Sequence, residues 1–318
     1  MQHPRFEVLE GHRRKNGGSE DGCMESVPEG LRTERAPARV FRPAIVSMPC
    51  REPEPADNCS EAFPSAIRVC LKRFDPVGLR CMSATATANR VDTKFLLTPD
   101  QLLASLDSLR DSYRVLEIDS VRLHRYRTLY FDTGGFDLYL RHHNGGRNSY
   151  KVRSREYLDS GRSFLEIKKK VSSNRSVKTR TETPGFVTEL TQDSDRFVAT
   201  HSPIESRSLE PMLWNSFDRI TLLSKTAPER LTLDIRLTYN NAVDHAALPE
   251  IAVAELKQEE IDRTSIVFRH MSSLGVRPTG FSKYCIGVPM LYPNVRHNRI
   301  KPKLRMIRRL AEEGSDAS

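Results

Sequence analysis

Three basic residues occupy every second position of one short segment, where Lys151, Arg153 and Arg155 alternate with Val152 and Ser154. Successive side chains of a β-strand point to opposite faces, so this spacing places the three cations on a single face. Like charges this close together repel one another unless an anion neutralises them. The segment therefore predicts a strand that presents a stripe of positive charge to an anionic ligand.

The period-two alternation continues over most of the chain from residue 90 onward. It predicts strands over residues 90–97, 121–132, 150–157, 163–170, 231–239 and 251–257. Helices are predicted after Thr98, which forms a capping box with Gln101, and over residues 209–223 and 264–274. Many strands and few helices favour a mainly β architecture with flanking helices (α+β), in which an antiparallel barrel or sandwich carries the helices on its outside.

The positive charge of the chain is concentrated in one region. Twelve basic and three acidic residues lie between positions 141 and 180, and this excess equals the formal net charge of +9 of the whole chain. Such a concentration indicates a polyanionic partner, which could be a nucleic acid, an acidic membrane surface or a phosphate chain. If the sheet closes on itself, its basic faces line an interior that suits polyphosphate.

The two ends of the chain differ in composition from its middle. Residues 1–87 are rich in Pro, Gly, Ser, Glu and Arg, and they are predicted to form a disordered extension. Residues 88–292 form the patterned domain, and residues 293–318 are predicted to be a basic tail, which is interpreted as solvated. The alternative for residues 296–309 is a helix or tail that meets anionic lipid or polyphosphate. Met82 offers an alternative start of translation. The sequence shows neither an apolar run of roughly 18–20 residues nor an apolar signal core, so a cytoplasmic location is expected.

Several residues that suggest metal or base contacts are interpreted as structural. Five of the six cysteines lie in the first 81 residues without a C-x-x-C pair, which favours free thiols over a zinc site. His142 and His143 are adjacent, so they are not expected to share a ligand site. Trp214 stands among apolar residues and is predicted to belong to the core.

Six motifs follow one another within the patterned domain. They are Arg90-x-Asp92-x-Lys94-Phe95, Tyr126-x-Thr128-x-Tyr130-Phe131-Asp132-Thr133, Lys151-x-Arg153-x-Arg155-x-Tyr157, Phe164-Leu165-Glu166-Ile167-Lys168, Ala254-Glu255-Leu256-Lys257 and Phe281-Ser282-Lys283-Tyr284. The ordered series resembles the VTC domain, the catalytic module of the vacuolar transporter chaperone polyphosphate polymerases, in the triphosphate tunnel metalloenzyme superfamily. The resemblance implies a closed, eight-stranded antiparallel β-tunnel. It also implies Mn²⁺ or Mg²⁺ and transfer of the γ-phosphate of ATP, or of another nucleoside triphosphate, to a growing polyphosphate chain.

The resemblance further implies roles for individual residues. Catalytic roles, as a clamp on the transferred phosphates, are implied for Lys94, Arg153, Arg155 and Arg236. Metal binding is implied for Glu255, with help from Glu166. Phosphate binding is implied for Arg90, Lys151, Lys168, Lys178, Arg180 and Lys283. The segment 172–174 leaves the register of three of these, Lys168, Lys178 and Arg180, open.

Two other functions remain open on the sequence alone. One is a metal-dependent triphosphatase on the same fold. The hydrolytic branch of the superfamily has Glu-x-Glu-x-Lys on its first strand, whereas this chain has Arg90-x-Asp92-x-Lys94, which favours the polymerase. The other is a module that binds RNA or polyphosphate without catalysis, because cations directed at phosphates also bind nucleic acid. Glu166 and Glu255 would repel a nucleic-acid backbone, and DNA is not an expected partner. A membrane partner protein is left open.

Overall fold

The computed structural model of this chain describes residues 62–82, 91–146, 148–171 and 176–315. Residues 1–61 of the predicted extension, and Arg90 with its predicted phosphate contact, lie outside the described residues. The helices are α1 (Ala62–Lys72), α2 (Pro99–Leu109), α3 (Asp137–His143), α4 (Gln192–His201), α5 (Ile266–Ser273), α6 (Lys283–Leu291) and α7 (Lys301–Ser315). The strands are β1 (Asp75–Val77), β2 (Val91–Leu97), β3 (Tyr113–Leu116), β4 (His124–Asp132), β5 (Ser149–Tyr157), β6 (Arg162–Lys170), β7 (Ser176–Thr183), β8 (Glu210–Ser224), β9 (Arg230–Asn240), β10 (His245–Leu248) and β11 (Ala252–Gln258).

Eight strands form one continuous sheet in the order β2-β11-β9-β8-β4-β5-β6-β7, and every pair of neighbours is antiparallel. The short strands β3 and β10 add to β8 and β9, and β1 pairs with β3 in parallel. The sheet curls into an open half-barrel with helices around it. The prediction of a mainly β fold with flanking helices is therefore confirmed. Closure is not, because among the described strands β2 and β7 end the sheet without pairing to each other.

The convex side of the half-barrel carries two apolar cores. One lies between β2, β9, β11 and the helices α1, α2 and α5, and it includes Phe95, Leu106, Leu233 and Val267. The other covers β4, β5 and β6 and contains Trp214, which is 4% exposed and stacks on Phe186. A third core lies at one end of the concave side, where α6 and α7 pack on the aromatic residues of β4 and β9. Among the described helices, none packs an apolar core over the rest of the concave face.

The local sequence signals explain most of the element boundaries. Thr98 and Gln101 form the predicted capping box of α2, with Pro99 at its first position. Gly275, which follows α5, has a φ of +70°, the left-handed conformation that ends many helices. Residues 158–161 turn between β5 and β6, which correspond to the strands predicted over residues 150–157 and 163–170, and Gly161 has a φ of +65°.

The helix predicted over residues 209–223 is wrong, because this segment is the long strand β8. Leu213, Phe217 and Ile220 have helical spacing, which suggested one apolar helix face. In the structure β8 is a central strand that is buried on both sides, with β4 and β9 as neighbours. Polar residues stand between the apolar residues of β8, so the apolar residues recur at intervals of three and four, as on one face of a helix.

The disorder predicted through residue 87 is wrong for residues 62–82. Helix α1 buries Ile67 and Leu71 against α2, and Phe74 follows them into the same core. Arg122 donates a hydrogen bond to the carbonyl oxygen of Leu71 at 2.6 Å, which ties this segment to the sheet. The polar composition of the residues before it hid a short amphipathic helix, in which Ile67 and Leu71 face the core while Val69 is exposed.

The solvated tail predicted after residue 292 is wrong for residues 301–315. These residues form α7, whose Ile307 is 3% exposed and lies in the third core with Leu304 and Leu310. The basic residues of α7 occupy its other faces, so a charge count alone does not reveal the apolar stripe. In the part of the chain that the structure describes, no helix is both long and apolar enough to cross a bilayer.

Candidate phosphate-binding site

The concave face of the half-barrel is built from alternate residues of its strands. Lys151 of β5 lies opposite Lys168 of β6, which in turn lies opposite Lys178 of β7. At the other end of the sheet, Lys94 of β2 lies opposite Glu255 of β11. Because residues two apart share a face of a strand, Arg153 and Arg155 join this surface from β5. The pairing with β7 also resolves the register after residues 172–174.

A cavity of about 650 Å³ opens on this face. Lys94, Lys151, Lys168 and Lys170 line it, so β2 and β6, which do not pair in the sheet, approach the same space. Ser282 caps the first turn of α6 and accepts a hydrogen bond from the Lys151 ammonium at 2.9 Å. The cavity thus has a basic wall on both sides of the half-barrel.

Glu255 and Glu166, the two predicted metal ligands, are held by lysine and arginine side chains. Glu255 forms ion pairs with Lys94 at 2.8 Å and with Lys257 at 2.7 Å. Glu166 is 1% exposed and pairs with Arg153 at 2.6 Å and with Lys178 at 3.1 Å. Burial alone would raise the pKa of each carboxyl, but the neighbouring cations outweigh it and hold both pKa values well below the ordinary range. Both carboxylates are therefore ionised at neutral pH.

Asp234 is the third buried carboxylate of the concave face. Arg219 donates two hydrogen bonds to it, at 2.5 and 2.7 Å, and Lys283 forms an ion pair with it. These cations overcome the effect of burial and lower the pKa of Asp234 to about 2. Lys283 begins α6, so this contact also fixes the helix to β9.

Two cations of this face, Arg155, which is buried, and Lys168, which is partly buried, form no ion pair with any described carboxylate. Arg155 is 7% exposed, and its side-chain hydrogen bond goes to the Thr128 hydroxyl at 3.3 Å. Burial lowers the pKa of Arg155, and the positive charges of Arg153 and Arg219 add to the effect. The guanidinium also lies 5.7 Å from the ring centre of Phe217. A charge placed in this way is incompletely compensated, so the site favours an anion.

Lys168 is the second of these cations. Burial lowers the pKa of Lys168 to about 8, against the opposing attraction of Glu255. The charges of Lys151 and Lys94 also disfavour its protonated form. Lys178 and Lys283 likewise have pKa values lowered to about 8, chiefly by burial. An anion in the cavity would reverse these shifts, because it stabilises the protonated ammonium groups.

Arg236 does not belong to this surface, and its predicted tunnel role is wrong. The pairing of β8 with β9 shifts register between Ser216 and Asp218, and Arg236 has a φ of +51° at this bulge. The extra residue turns Arg236 to the convex side, where it pairs with Asp218 at 2.5 Å in a cavity of about 260 Å³. A β-bulge interrupts the alternation that the sequence argument assumed.

Arg219 occupies the interior position that was assigned to Arg236. It lies opposite Asp234 on the neighbouring strand, and its guanidinium is 5.1 Å from the ring centre of Tyr126. It was missed because β8 was interpreted as a helix. Only the four residues Arg219-Ile220-Thr221-Leu222 alternate polar with buried aliphatic side chains, and Asp218 before them breaks the pattern.

Arg180 lies at the edge of the same face. Its guanidinium is 4.5 Å from the ring centre of Phe164, and Arg180 lies directly opposite Glu166 on β6. The structure therefore brings together ten of the twelve predicted site residues; Arg236 points elsewhere and Arg90 is outside the described residues.

Two of the motif residues have structural roles. Asp132 accepts hydrogen bonds from the backbone amides of Leu138 and Tyr139 at the start of α3, at 2.9 and 2.8 Å, and from the Tyr284 hydroxyl at 2.5 Å. It thereby joins the end of β4 to α3 and α6. Because Ser282 and Lys283 stand at the start of α6, Asp132 helps to position Ser282, which lines the cavity, and Lys283, which pairs with Asp234.

The described carboxylates do not form a metal cage of their own. Among these residues no three His, Cys, Asp or Glu side chains come close enough to hold an ion together. Mg²⁺ and Mn²⁺ sites of nucleotide enzymes commonly need only one or two carboxylates, since substrate phosphates and water supply the other oxygens. Glu255 fits that more limited requirement, provided that a phosphate oxygen shares the ion.

The profile of one protein family, the VTC domain, matches residues 89–292, which is more than half of the chain. The chain belongs to the VTC domain family. The resemblance of the six motifs is thereby confirmed, and all of them lie within the matched VTC domain. No functionally curated protein matches the chain.

Some solved structures are similar to this VTC domain chain at low sequence identity and with TM-scores below 0.5. One is a candidate adenylate cyclase from Bacillus halodurans, at 13% identity and a TM-score of 0.39, covering 61% of this chain and 95% of that one. Another is a candidate adenylyl cyclase from Hippeastrum with a dominant triphosphatase activity, at 15% identity and a TM-score of 0.39, covering 62% of this chain and 93% of that one.

Proposed function

We propose that this VTC domain is a polyphosphate polymerase that transfers the γ-phosphate of ATP to the end of a polyphosphate chain. One observation carries the proposal: Arg155, which is buried, and Lys168, which is partly buried and lines the cavity, form no ion pair with a described carboxylate, whereas Glu166 and Glu255 on the same face are already paired. A multiply charged linear anion supplies the missing negative charge, and a triphosphate or polyphosphate has this chemistry.

The reaction needs positioning and charge stabilisation rather than a covalent intermediate on the protein. A terminal phosphate oxygen of the acceptor forms a bond to the γ-phosphorus while the bond from that phosphorus to the bridging oxygen of ATP breaks, and ADP leaves. Arg153 and Arg155 project from one strand face toward the same space, and Arg219 reaches it from β8. Guanidinium groups suit this task, since each can donate two parallel hydrogen bonds to phosphate oxygens.

Glu255 is the residue that would hold a divalent cation, with Glu166 as a second candidate. When bound, such an ion neutralises charge on the phosphate oxygens. Lys94 and Lys257 form ion pairs with the two oxygens of Glu255, so these two lysines keep the carboxylate ionised and hold it in place. This donor set fits Mg²⁺ or Mn²⁺ only when the substrate contributes ligands.

The ion pairs of the buried carboxylates favour a phosphate group over water as the acceptor. Hydrolysis is helped by a carboxylate that can accept a proton from the attacking water. Glu166, Asp234 and Glu255 are each engaged by two cations, and the pKa of each is lowered, so they are weak bases. A terminal phosphate already carries negative charge and does not need such a base. The geometry therefore supports transfer to a phosphate chain more strongly than triphosphate hydrolysis.

The proposal is tested by incubating the purified chain with ATP and either Mg²⁺ or Mn²⁺, with separate measurement of polymer by gel electrophoresis and of free phosphate. Polymerase activity predicts chains that lengthen with time while ADP accumulates and little free phosphate appears. Free phosphate in amounts equal to ADP would identify a triphosphatase and contradict the proposal. Arg155→Met removes the unpaired cation and should abolish synthesis, whereas Lys169→Met is the control, because Lys169 points away from the cavity toward Tyr150.

A further inference from the structure

The segment that follows the matched VTC domain contributes to the same cavity. The family profile ends at residue 292, but Arg299, Ile300 and Lys303 line the cavity together with Lys170 and Lys151. Arg299 and Lys303 therefore extend the basic surface beyond the strands of the half-barrel. Neither side chain forms an ion pair with a carboxylate among the described residues.

This segment is held in place by several contacts with α3. The Tyr139 hydroxyl donates a hydrogen bond to the carbonyl oxygen of Arg296 at 3.1 Å, and the imidazole of His143 is 2.7 Å from the side-chain oxygen of Asn298. Arg299 donates to the carbonyl oxygen of His143 at 3.4 Å. These bonds fix the path of residues 296–299 across the mouth of the cavity.

Helix α7 fixes the second cation. Its buried Ile307 anchors the helix in the third core, and the Lys303 ammonium, one turn earlier, donates a hydrogen bond to the Thr279 hydroxyl. Thr279 lies on the segment 278–282, which leads into α6 and lines the same cavity. Lys303 is thus positioned by a folded helix and not by a mobile tail.

We infer that Arg299 and Lys303, with Lys170, form a second phosphate-binding subsite at the mouth of the cavity. This subsite binds the part of a polyphosphate chain that extends beyond the phosphates held by the strands of the half-barrel. The inference rests on the proposed function. A linear polyanion carries regularly repeated charge, so each additional cation along its path adds binding energy and releases counterions. A triphosphate held by Arg155, Lys168 and Arg219 is too short to require this subsite. The subsite therefore makes the protein selective for long chains.

The test compares the full chain with Arg299→Ala combined with Lys303→Ala. Arg308→Ala is the matched control, because Arg308 is an exposed cation of the same helix that does not line the cavity. Binding of inorganic tripolyphosphate and of long-chain inorganic polyphosphate is measured by isothermal titration calorimetry at several salt concentrations. Circular dichroism melting verifies that each variant is folded, and the single variants Arg299→Gln and Lys303→Gln replace the double variant if it is not.

The subsite predicts that the double variant loses about tenfold or more in affinity for long polyphosphate, as expected for two lost charge-assisted contacts. Its affinity for tripolyphosphate should stay within about twofold of the original value. The salt dependence of polyphosphate binding should become shallower by about one charge or more, and Arg308→Ala should change none of these quantities. Equal losses for both ligands, or no loss for either, would overturn the subsite but leave the proposed function standing. Failure of the unmodified chain to bind either ligand would overturn both.

Discussion

Arg153 and Arg155 are two residues apart on one strand face, yet the structure gives them opposite effects on the stability of the ligand-free protein. Arg153 donates hydrogen bonds of 2.8 and 2.6 Å to Glu166, which is 1% exposed. Arg153→Met leaves that buried carboxylate with Lys178 alone, and breaking a buried pair in this way lowers the free energy of unfolding by about 3–5 kcal/mol. The remaining ion pair to Lys178 places the expected loss near the lower end of this range.

Arg155 makes no such pair. Arg155→Met removes one hydrogen bond to Thr128 and the contacts with the rings of Tyr126 and Phe217, but it also removes a buried charge that Arg153 and Arg219 repel. Replacing poorly compensated buried charges with apolar side chains is commonly neutral or stabilises by about 1–4 kcal/mol. We expect Arg155→Met to be neutral or stabilising, and therefore to differ from Arg153→Met by about 3 kcal/mol or more.

This difference is measurable by thermal unfolding without ligand. At about 2–4 °C per kcal/mol for a domain of this size, the melting temperatures of the two variants should differ by roughly 6–12 °C. Tripolyphosphate should raise the melting temperature of the unmodified protein, because it binds only the folded state, and this rise should be much smaller in both variants. Equal destabilisation by the two substitutions would refute the argument, since it would mean that Arg155 has a counter-charge as Arg153 does.

Three further predictions concern pH, the bulge and the N-terminal helix. The pKa of Lys168 is about 8 in the folded protein and 10.5 ordinarily, so the unfolded state binds more protons between these values and the stability of the ligand-free protein should rise with pH across that window. Affinity for tripolyphosphate should fall over the same window as the lysine loses its charge, and calorimetric titrations that show a pH-independent affinity would contradict this. Arg219→Ala should weaken tripolyphosphate binding by about tenfold or more, whereas Arg236→Ala should leave it nearly unchanged; the reverse order would restore the original assignment of Arg236. Leu71→Ala should lower the free energy of unfolding by about 2–5 kcal/mol, because the side chain is 2% exposed. A change below about 0.5 kcal/mol in urea denaturation would show that α1 is not part of the core.

The sequence predicted the basic strand β5 because alternate residues place its three cations on one face. Lys151, Arg153 and Arg155 lie on the concave side as their spacing requires, and β5 pairs with β6 through the turn after Tyr157. The capping box of α2 and the end of α5 depend on a few adjacent residues, so local rules were sufficient there as well.

The errors arose where tertiary structure overrides local pattern. A β-bulge opposite Phe217 turns the Arg236 side chain to the other face of the sheet. The residue types around it do not indicate that the strand has an extra residue there. Arg219 was missed because a strand buried on both sides lacks the alternation that identifies a strand. The roles of Arg299 and Lys303 depend on how α7 returns to the cavity, and that path is set by contacts with residues more than 150 positions earlier in the chain.

The proposed function requires a phosphate chain to bind in the concave half-barrel against Arg155, Lys168 and Arg219. A crystal structure of the full chain grown with tripolyphosphate would locate the bound chain. We expect electron density for linked phosphates within hydrogen-bonding distance of these three side chains. Tripolyphosphate bound instead at the convex cavity beside Arg236, with the concave face left without it, would contradict the account.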